Sequence, residues 1–384
     1  MTTLDNFYGK ATMNDGFSGS YLPDDVCFLL TRLDKADVQS IDPVQKEALI
    51  QSGKRHYSQM LTLETPISDT HHAIYQHALT EYLPRTAAGI HRLAHTLYDT
   101  FKYQDKPLIL VSLVRAGVPV GVLLKRALSD PNASYHRPVI HYGVSIIRDK
   151  GIDQLALAHI TQKHPDCPIV FVDGWTGKGA IFGELKHSLT QFCAQYPHTK
   201  NQLFHQGCDV IPLVVLSDPA GVAWLSDGTD DWLIPSSLLN STISGLVSRT
   251  LYRTGEFHGC VYYNEFTHID ESLRFVNQVD AHRQTLGKAC LLPTQSSPRF
   301  ATRSLIDNIA KAFAIDNDNR IKPTIAEATR AIMRRQPQCV LIDTNSQHSA
   351  DTSLLRHLCE QKHIPILYQD IYPYQAMTII QKRS

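Results

Sequence analysis

The spacing of apolar and polar positions changes along the chain. Residues 1–75 mix turn formers with one short apolar run, Val26-Cys27-Phe28-Leu29-Leu30, and a helix is expected over 43–52. From residue 87 the pattern becomes regular. A helix over 87–101 leads to an apolar strand over 108–113, a Gly turn and a helix over 118–128. An extended segment at 139–147 follows, then a helix near 154–163, a strand at 168–172 and a helix over 180–195. A strand at 210–216 and an extended piece near 232–234 complete the alternation. This order predicts an α/β fold, a mostly parallel sheet with helices on both faces.

Pro293, Ser296, Ser297 and Pro298 then break the pattern. Helices over 301–313, 324–335 and 352–362 and strands at 339–343 and 364–367 follow, enough for a small C-terminal α/β domain. The expected division is 1–292 for the main domain with its N-terminal extension, 293–298 for a linker and 299–384 for the second domain.

Length and composition narrow the class. The 384 residues can bury a large core. No apolar run approaches the ~18 residues of a membrane span. The polar N-terminus lacks a signal layout, so the expected location is cytoplasmic and no membrane partner is expected. Eight cysteines are scattered without a C-x-x-C pair, which argues against a disulfide scaffold or structural zinc. Formal charge is balanced over the chain, yet roughly 12 Lys and Arg stand against roughly 8 Asp and Glu from Arg299 onward, so the C-terminal domain is the part suited to a polyanion.

The most informative stretch is Ile169-Val170-Phe171-Val172-Asp173-Gly174-Trp175-Thr176-Gly177-Lys178-Gly179-Ala180. A buried strand delivers a carboxylate at its tip, and a Gly-rich turn opens a helix. In an open α/β sheet that tip borders the ligand crevice, and helix N-termini point N–H groups into it. Gly177 and Gly179 permit close approach to phosphate oxygens, and Thr176 and Lys178 offer further donors. A Walker A loop fits worse, because Gly179 rather than Ser or Thr follows the Gly-Lys pair. Asp173 suits ribose hydroxyls, a metal or a developing cation. The stretch Ser112-Leu113-Val114-Arg115-Ala116-Gly117 is a strand entering a tight turn, with Arg115 placed to fork onto a diphosphate. Arg148, Lys150 and Gly151 form a charged loop between the two.

These segments resemble the phosphoribosyl pyrophosphate (PRPP) motif, the pyrophosphate loop and the mobile hood of type I phosphoribosyltransferases. That family usually carries two adjacent acids where this chain has Asp173 and Gly174, so ribose contacts must be fewer or come from elsewhere. Ser18-Gly19-Ser20-Tyr21-Leu22-Pro23, Gly53-Lys54-Arg55-His56-Tyr57, Ser217-Asp218-Pro219-Ala220-Gly221 and Ser244-Gly245-Leu246-Val247-Ser248-Arg249-Thr250 narrow the resemblance. They are similar to the bacterial phosphoribosyltransferase family of tellurite-resistance stress operons, whose members end in a Pelota-type RNA-binding domain. The resemblance implies PRPP or another ribose 5-phosphate-containing nucleotide as ligand. It implies Mg²⁺ carried by that ligand, with Asp173 its one candidate protein oxygen. It also implies Asp173, Arg115 and Lys150 as catalytic residues, and Ser112, Arg115 to Gly117, Asp173, Gly174 and Thr176 to Ala180 around the phosphates. Lys54, His56 and Tyr57 would cover the base side, structured RNA would meet the C-terminal domain, and a homodimer is compatible.

Two rival classes remain. A non-catalytic sensor of PRPP or a nucleotide that also binds RNA would keep the motifs without turnover. The same family carries a cysteine-protease label, which requires a thiol activated by a nearby His or positive charge. Cys27 sits in an apolar run and Cys260 precedes Val261-Tyr262-Tyr263, contexts that suit buried free thiols.

Overall fold

The computed structural model describes residues 16–38, 41, 60–205 and 208–382. The helix expected over 43–52 and the base-side candidates Lys54, His56 and Tyr57 lie outside the described residues.

The first apolar run forms β1 (Cys27–Leu29), followed by β2 (Thr31–Leu33). Helix α1 (Asp69–Phe101) begins well before residue 87. Pro84 lies inside it without ending it, although a proline in a helical pattern reads as a boundary. The buried stripe Ile74, Tyr75, Ala78 and Leu79 has helical spacing and packs on the core, which holds the extra turns in place. Then come β3 (Leu108–Val114), α2 (Gly117–Ser129), β4 (Val139–Ile147), β5 (Gly151–Ile152), α3 (Gln154–Lys163), β6 (Ile169–Val172) and α4 (Ala180–Gln195). Short strands β7 (Leu213–Val215), β8 (Leu225–Ser226) and β9 (Gly259–Val261) and helix α5 (Ser272–Gln284) finish the main unit.

The principal sheet runs β1-β4-β3-β6-β7-β8, with every pair on that path parallel. The extended piece expected at 232–234 is not a strand, and β8 takes the edge instead. Alternate residues of β3 and β6 enter opposite cores: Leu110, Val170 and Val172 face α1, α2 and α5, while Ile109, Val111 and Phe171 face α3 and α4. Burial on both faces is why these strands read as continuous apolar runs. From β3 the chain passes to β4 on one side, then returns to β6 on the other. That reversal makes the C-terminal ends of β3 and β6 the topological switch point of the sheet, where a crevice opens.

The second unit holds α6 (Arg303–Ala312), β10 (Ile321–Pro323), α7 (Ile325–Arg334), β11 (Pro337–Asp343), α8 (Ala350–Gln361), β12 (Ile366–Gln369) and β13 (Ala376–Ile380). Its sheet, β10-β13-β11-β12, is mixed. The segment expected as a linker is pinned along the main unit. Gln295 donates its N–H to the Trp224 carbonyl (2.7 Å), Arg299 to Gly221 (2.7 Å) and Ala301 to Ala220 (2.8 Å). One apolar core runs from Trp232 and Leu238 into Ile325, Ala328, Ile332 and Leu355, so the two units pack as a continuous body rather than as tethered beads.

Candidate functional site at the strand tips

Turn 115–117 and turn 173–180 meet at the switch point. A β-carbon on Gly117 would lie 2.1 Å from the Val172 carbonyl oxygen, and one on Gly174 would lie 3.1 Å from the Ala116 carbonyl oxygen. Two backbones this close leave no room for side chains between them, which accounts for glycine at both positions. The peptide between Val114 and Arg115 is cis. Behind the first turn, the buried Ser112 hydroxyl lies 3.0 Å from the Gly117 carbonyl and 2.7 Å from His141 Nε2. Burial holds His141 neutral, down at about 4. Ser112 therefore positions the turn from inside and does not face the crevice.

Asp173 ends β6 partly buried, and one of its carboxylate oxygens accepts the Gly174 N–H at 2.8 Å. Burial, and after it the Glu327 carboxylate, push Asp173 up to about 7. Glu327 belongs to the first turn of α7, where Thr324 caps the helix by accepting the Glu327 N–H. A second acid thus stands beside Asp173, contributed by the C-terminal unit instead of position 174. The capping pattern Thr-x-x-Glu was visible in the sequence, but nothing local tied it to a site 150 residues upstream.

The Gly turn is partly closed to ligand. The Thr176 hydroxyl donates to Asp218 (2.5 Å) and accepts the Ala220 N–H (3.2 Å), which commits it to shaping the turn rather than to a phosphate. Gly179 takes φ 80° to start α4, and a β-carbon there would meet the Phe300 ring at 3.3 Å. Gly177 and Lys178 are partly buried. Tyr374 donates its hydroxyl to the Gly177 carbonyl at 2.7 Å, and Lys178 donates to the carbonyls of Asp318 and Ile321. Burial lowers Lys178 to about 8.

The expected clamp, Arg115, is held by Glu64 and by the Val247 carbonyl (3.2 Å). Burial would raise the Glu64 carboxyl, but the Arg115 guanidinium and the Ser241 hydroxyl bring it below its usual range. Glu64 is a positioning residue that the sequence did not mark. Arg330 of α7 faces the same place, within Coulombic reach of Arg115, Glu64 and Arg249, and donates to Asn240 Oδ1 at 2.9 Å. Lys322 of β10 lies within reach of Lys178, Arg148 and Glu327.

The loop expected as a hood is the tip of a β4–β5 hairpin, paired Ile146 to Ile152 and Ile147 to Gly151. Asp149 donates its N–H to Glu184, Ile152 to the Ser188 hydroxyl, and Arg148 reaches Asn319 of the C-terminal unit. Lys150 points elsewhere, 5.1 Å from the Tyr252 ring centroid, so the site brings in Arg148 but not Lys150.

Burial pushes the thiols of Cys167, Cys193, Cys260, Cys339 and Cys359 up, with Cys260 at about 12, opposite to the shift that activates a nucleophile. Cys27 is half-buried in β1. A separate recess of about 640 Å³ is lined by His91, His95, Tyr135 and Arg283. There His91 bonds Tyr135 and the Gly287 carbonyl, and Arg283 pairs with Asp130 and Asp280. Among the described residues no helix is long and apolar enough to cross a membrane.

Comparison with known proteins places these units in a named context. Residues 19–280 match the family model described as "Tellurite-like stress resistance cysteine protease StiP", and residues 300–382 match the PELOTA RNA binding domain. "Cysteine protease StiP" of Acinetobacter baylyi is 42% identical over 398 residues, covering 97% of this chain and 97% of that protein. The chemistry in these names is proteolysis, not phosphoribosyl transfer.

Proposed function

The chain belongs to the StiP family of tellurite-like stress resistance and carries a PELOTA domain, and from that premise we propose that its strand-tip site transfers or removes a phosphoribosyl group. The supporting observation is the convergence of two tight turns, a raised carboxylate and basic side chains at the switch point of a parallel sheet.

In the forward direction the C1–O bond to diphosphate breaks, the electron pair leaves with diphosphate, and an acceptor nitrogen attacks C1 and releases its proton to solvent. Asp173 supports the positive charge that develops on the sugar, and Glu327 adds a second carboxylate. Arg115 takes diphosphate charge, and Lys178 with Gly177 takes the 5′-phosphate. The raised Asp173 fits a site that receives a cation or hydroxyls, so Mg²⁺ borne on the diphosphate suits this donor set and would supply charge neutralisation. RNA contact through the PELOTA domain belongs to the same proposal.

A full-length protein binding PRPP with Mg²⁺ in calorimetry, and releasing diphosphate when an acceptor is present, is the expected result. Asp173→Asn should leave the fold intact and cut turnover by ~10² or more, the scale of one lost transition-state contact. Binding without any turnover would favour the sensor reading. The protease reading, which the relative's name supplies, predicts peptidase activity that a cysteine variant abolishes. Such activity, unaffected by Asp173→Asn and lost in Cys27→Ala, would overturn the transferase.

A further inference from the structure

Lys322 is the least explained cation of the site. It lies in β10 between the buried Ile321 and Pro323, so strand alternation turns it away from the core that they enter. Its ammonium makes no hydrogen bond or ion pair with any described residue, although it is only partly exposed. The neighbouring Ile321 carbonyl holds Lys178, which places β10 against the Gly turn. On α7, Glu327 and Arg330 are three residues apart and share a helix face. A β-carbon on Gly177 would lie 3.6 Å from the Glu327 carboxylate, and Arg330 reaches Asn240 beside the Arg115–Glu64 pair.

We propose that the C-terminal unit supplies half of the ligand cradle: Lys322 joins Lys178 and Arg148 around one phosphate group, Arg330 joins Arg115 and Arg249 around a second, and Glu327 faces the sugar between them. The ligand class is a pentose carrying anionic groups at both ends. This rests on the phosphoribosyl reading and deepens it, because a unit matched as an RNA-binding domain then becomes part of the small-molecule site.

Charge and geometry agree. Burial drives Lys322 down to about 7 and Lys178 to about 8, and both have an incentive to acquire an anion. Glu327 couples electrostatically to Lys322 and Arg330 of its own unit and to Asp173 and Lys178 of the main unit. The ligand phosphate would replace the Asp318 and Ile321 carbonyls as the partner of Lys178, so ligand and interdomain contact compete for the same ammonium.

The test uses the full chain in calorimetry with ribose 5-phosphate, inorganic diphosphate, and PRPP plus Mg²⁺. Lys322→Met should weaken ribose 5-phosphate and PRPP by ~10-fold or more while leaving inorganic diphosphate within about threefold, as expected for losing one charge-assisted contact. Arg330→Gln should show the reverse preference between the two simple anions. Lys322→Arg should restore binding, and the melting temperature of Lys322→Met should be no lower than that of the wild type, since no described residue bonds its ammonium and burial opposes its charge. Unchanged affinity in Lys322→Met, equal loss for all three ligands, or no anion binding by the wild type overturns the cradle. Wild-type binding of both simple anions, split between the variants as stated but without PRPP binding, keeps the cradle and removes the phosphoribosyl reading.

Discussion

Asp173, Lys178 and Lys322 all sit where burial opposes their charged forms, at about 7, 8 and 7. The acid loses its proton as pH rises and the lysines lose theirs, so the ligand-free site becomes less positive across the neutral range. Facing Lys178 are Glu327, Asp318, Arg148 and Arg303; facing Lys322 are Glu327, Arg335, Lys178 and Arg148. A phosphate monoester is already dianionic above pH ~7, so a pH dependence above that point reports the protein. Ribose 5-phosphate affinity should fall by roughly 10-fold or more between pH 7 and 9, with net proton uptake on binding measured in buffers of different ionisation enthalpy. A flat profile to pH 9 would mean that these ammoniums carry no phosphate. The sequence pointed to Asp173 and Arg115 because each follows a strand and borders a glycine turn, and to Lys178 because it lies inside one. It misassigned Thr176 and Ser112, whose hydroxyls are spent on Asp218 and on the Gly117–His141 pair. Hydroxyl partners are set by tertiary packing, and those two lie 42 and 29 positions from their hosts.

Elements were legible where burial is two-sided or the period is regular, as in β4, α3 and α4, whose observed limits coincide with those expected. The β4–β5 hairpin was legible as a charged loop, but its mechanical character was not. Charge and Gly151 suggested a swinging hood; the fold instead fixes the tip through Glu184, Ser188 and Asn319, and Asp153 just beyond it caps α3 by accepting the Leu155 and Ala156 N–H groups. Cover over the crevice comes from α7 and β10. Trypsin should therefore cleave slowly after Arg148 and Lys150 in the free protein, and Mg²⁺ with PRPP should change that rate little, because a protease needs a locally opened segment. Fast cleavage that the ligand suppresses would restore a moving hood and leave the C-terminal cover as scaffold.

At the scale of the molecule, the composition break at 293–298 suggested two separable domains, the second large enough to fold alone, yet apolar residues of α7 enter the shared core. Their partners lie on both sides. The polar seam between the units centres on Asp231, whose carboxylate accepts the Ile325 N–H at 2.7 Å and the Gln375 N–H at 3.0 Å, while Asp351 accepts from Tyr82, Leu233 and Gln375. Burial, reinforced by the Asp351 and Asp230 carboxylates, holds Asp231 well above the usual carboxylate range despite these donors. A folded-state value above the unfolded one contributes stability that is fully present below the ordinary aspartate range and is lost as pH rises through the raised value. Docking should thus weaken from pH ~4 upward, over the window between those two values. Asp231→Asn keeps an acceptor oxygen for both N–H groups and removes the charge, so it should raise the melting temperature more at pH 8 than at pH 5. The wild type should melt in one transition at either pH, since a shared core couples the units. Two resolved transitions, or an Asp231→Asn chain less stable at pH 8, would mean that the seam is a surface contact between independent domains. In that case Lys322 and Arg330 would be too loosely placed to serve the strand-tip site.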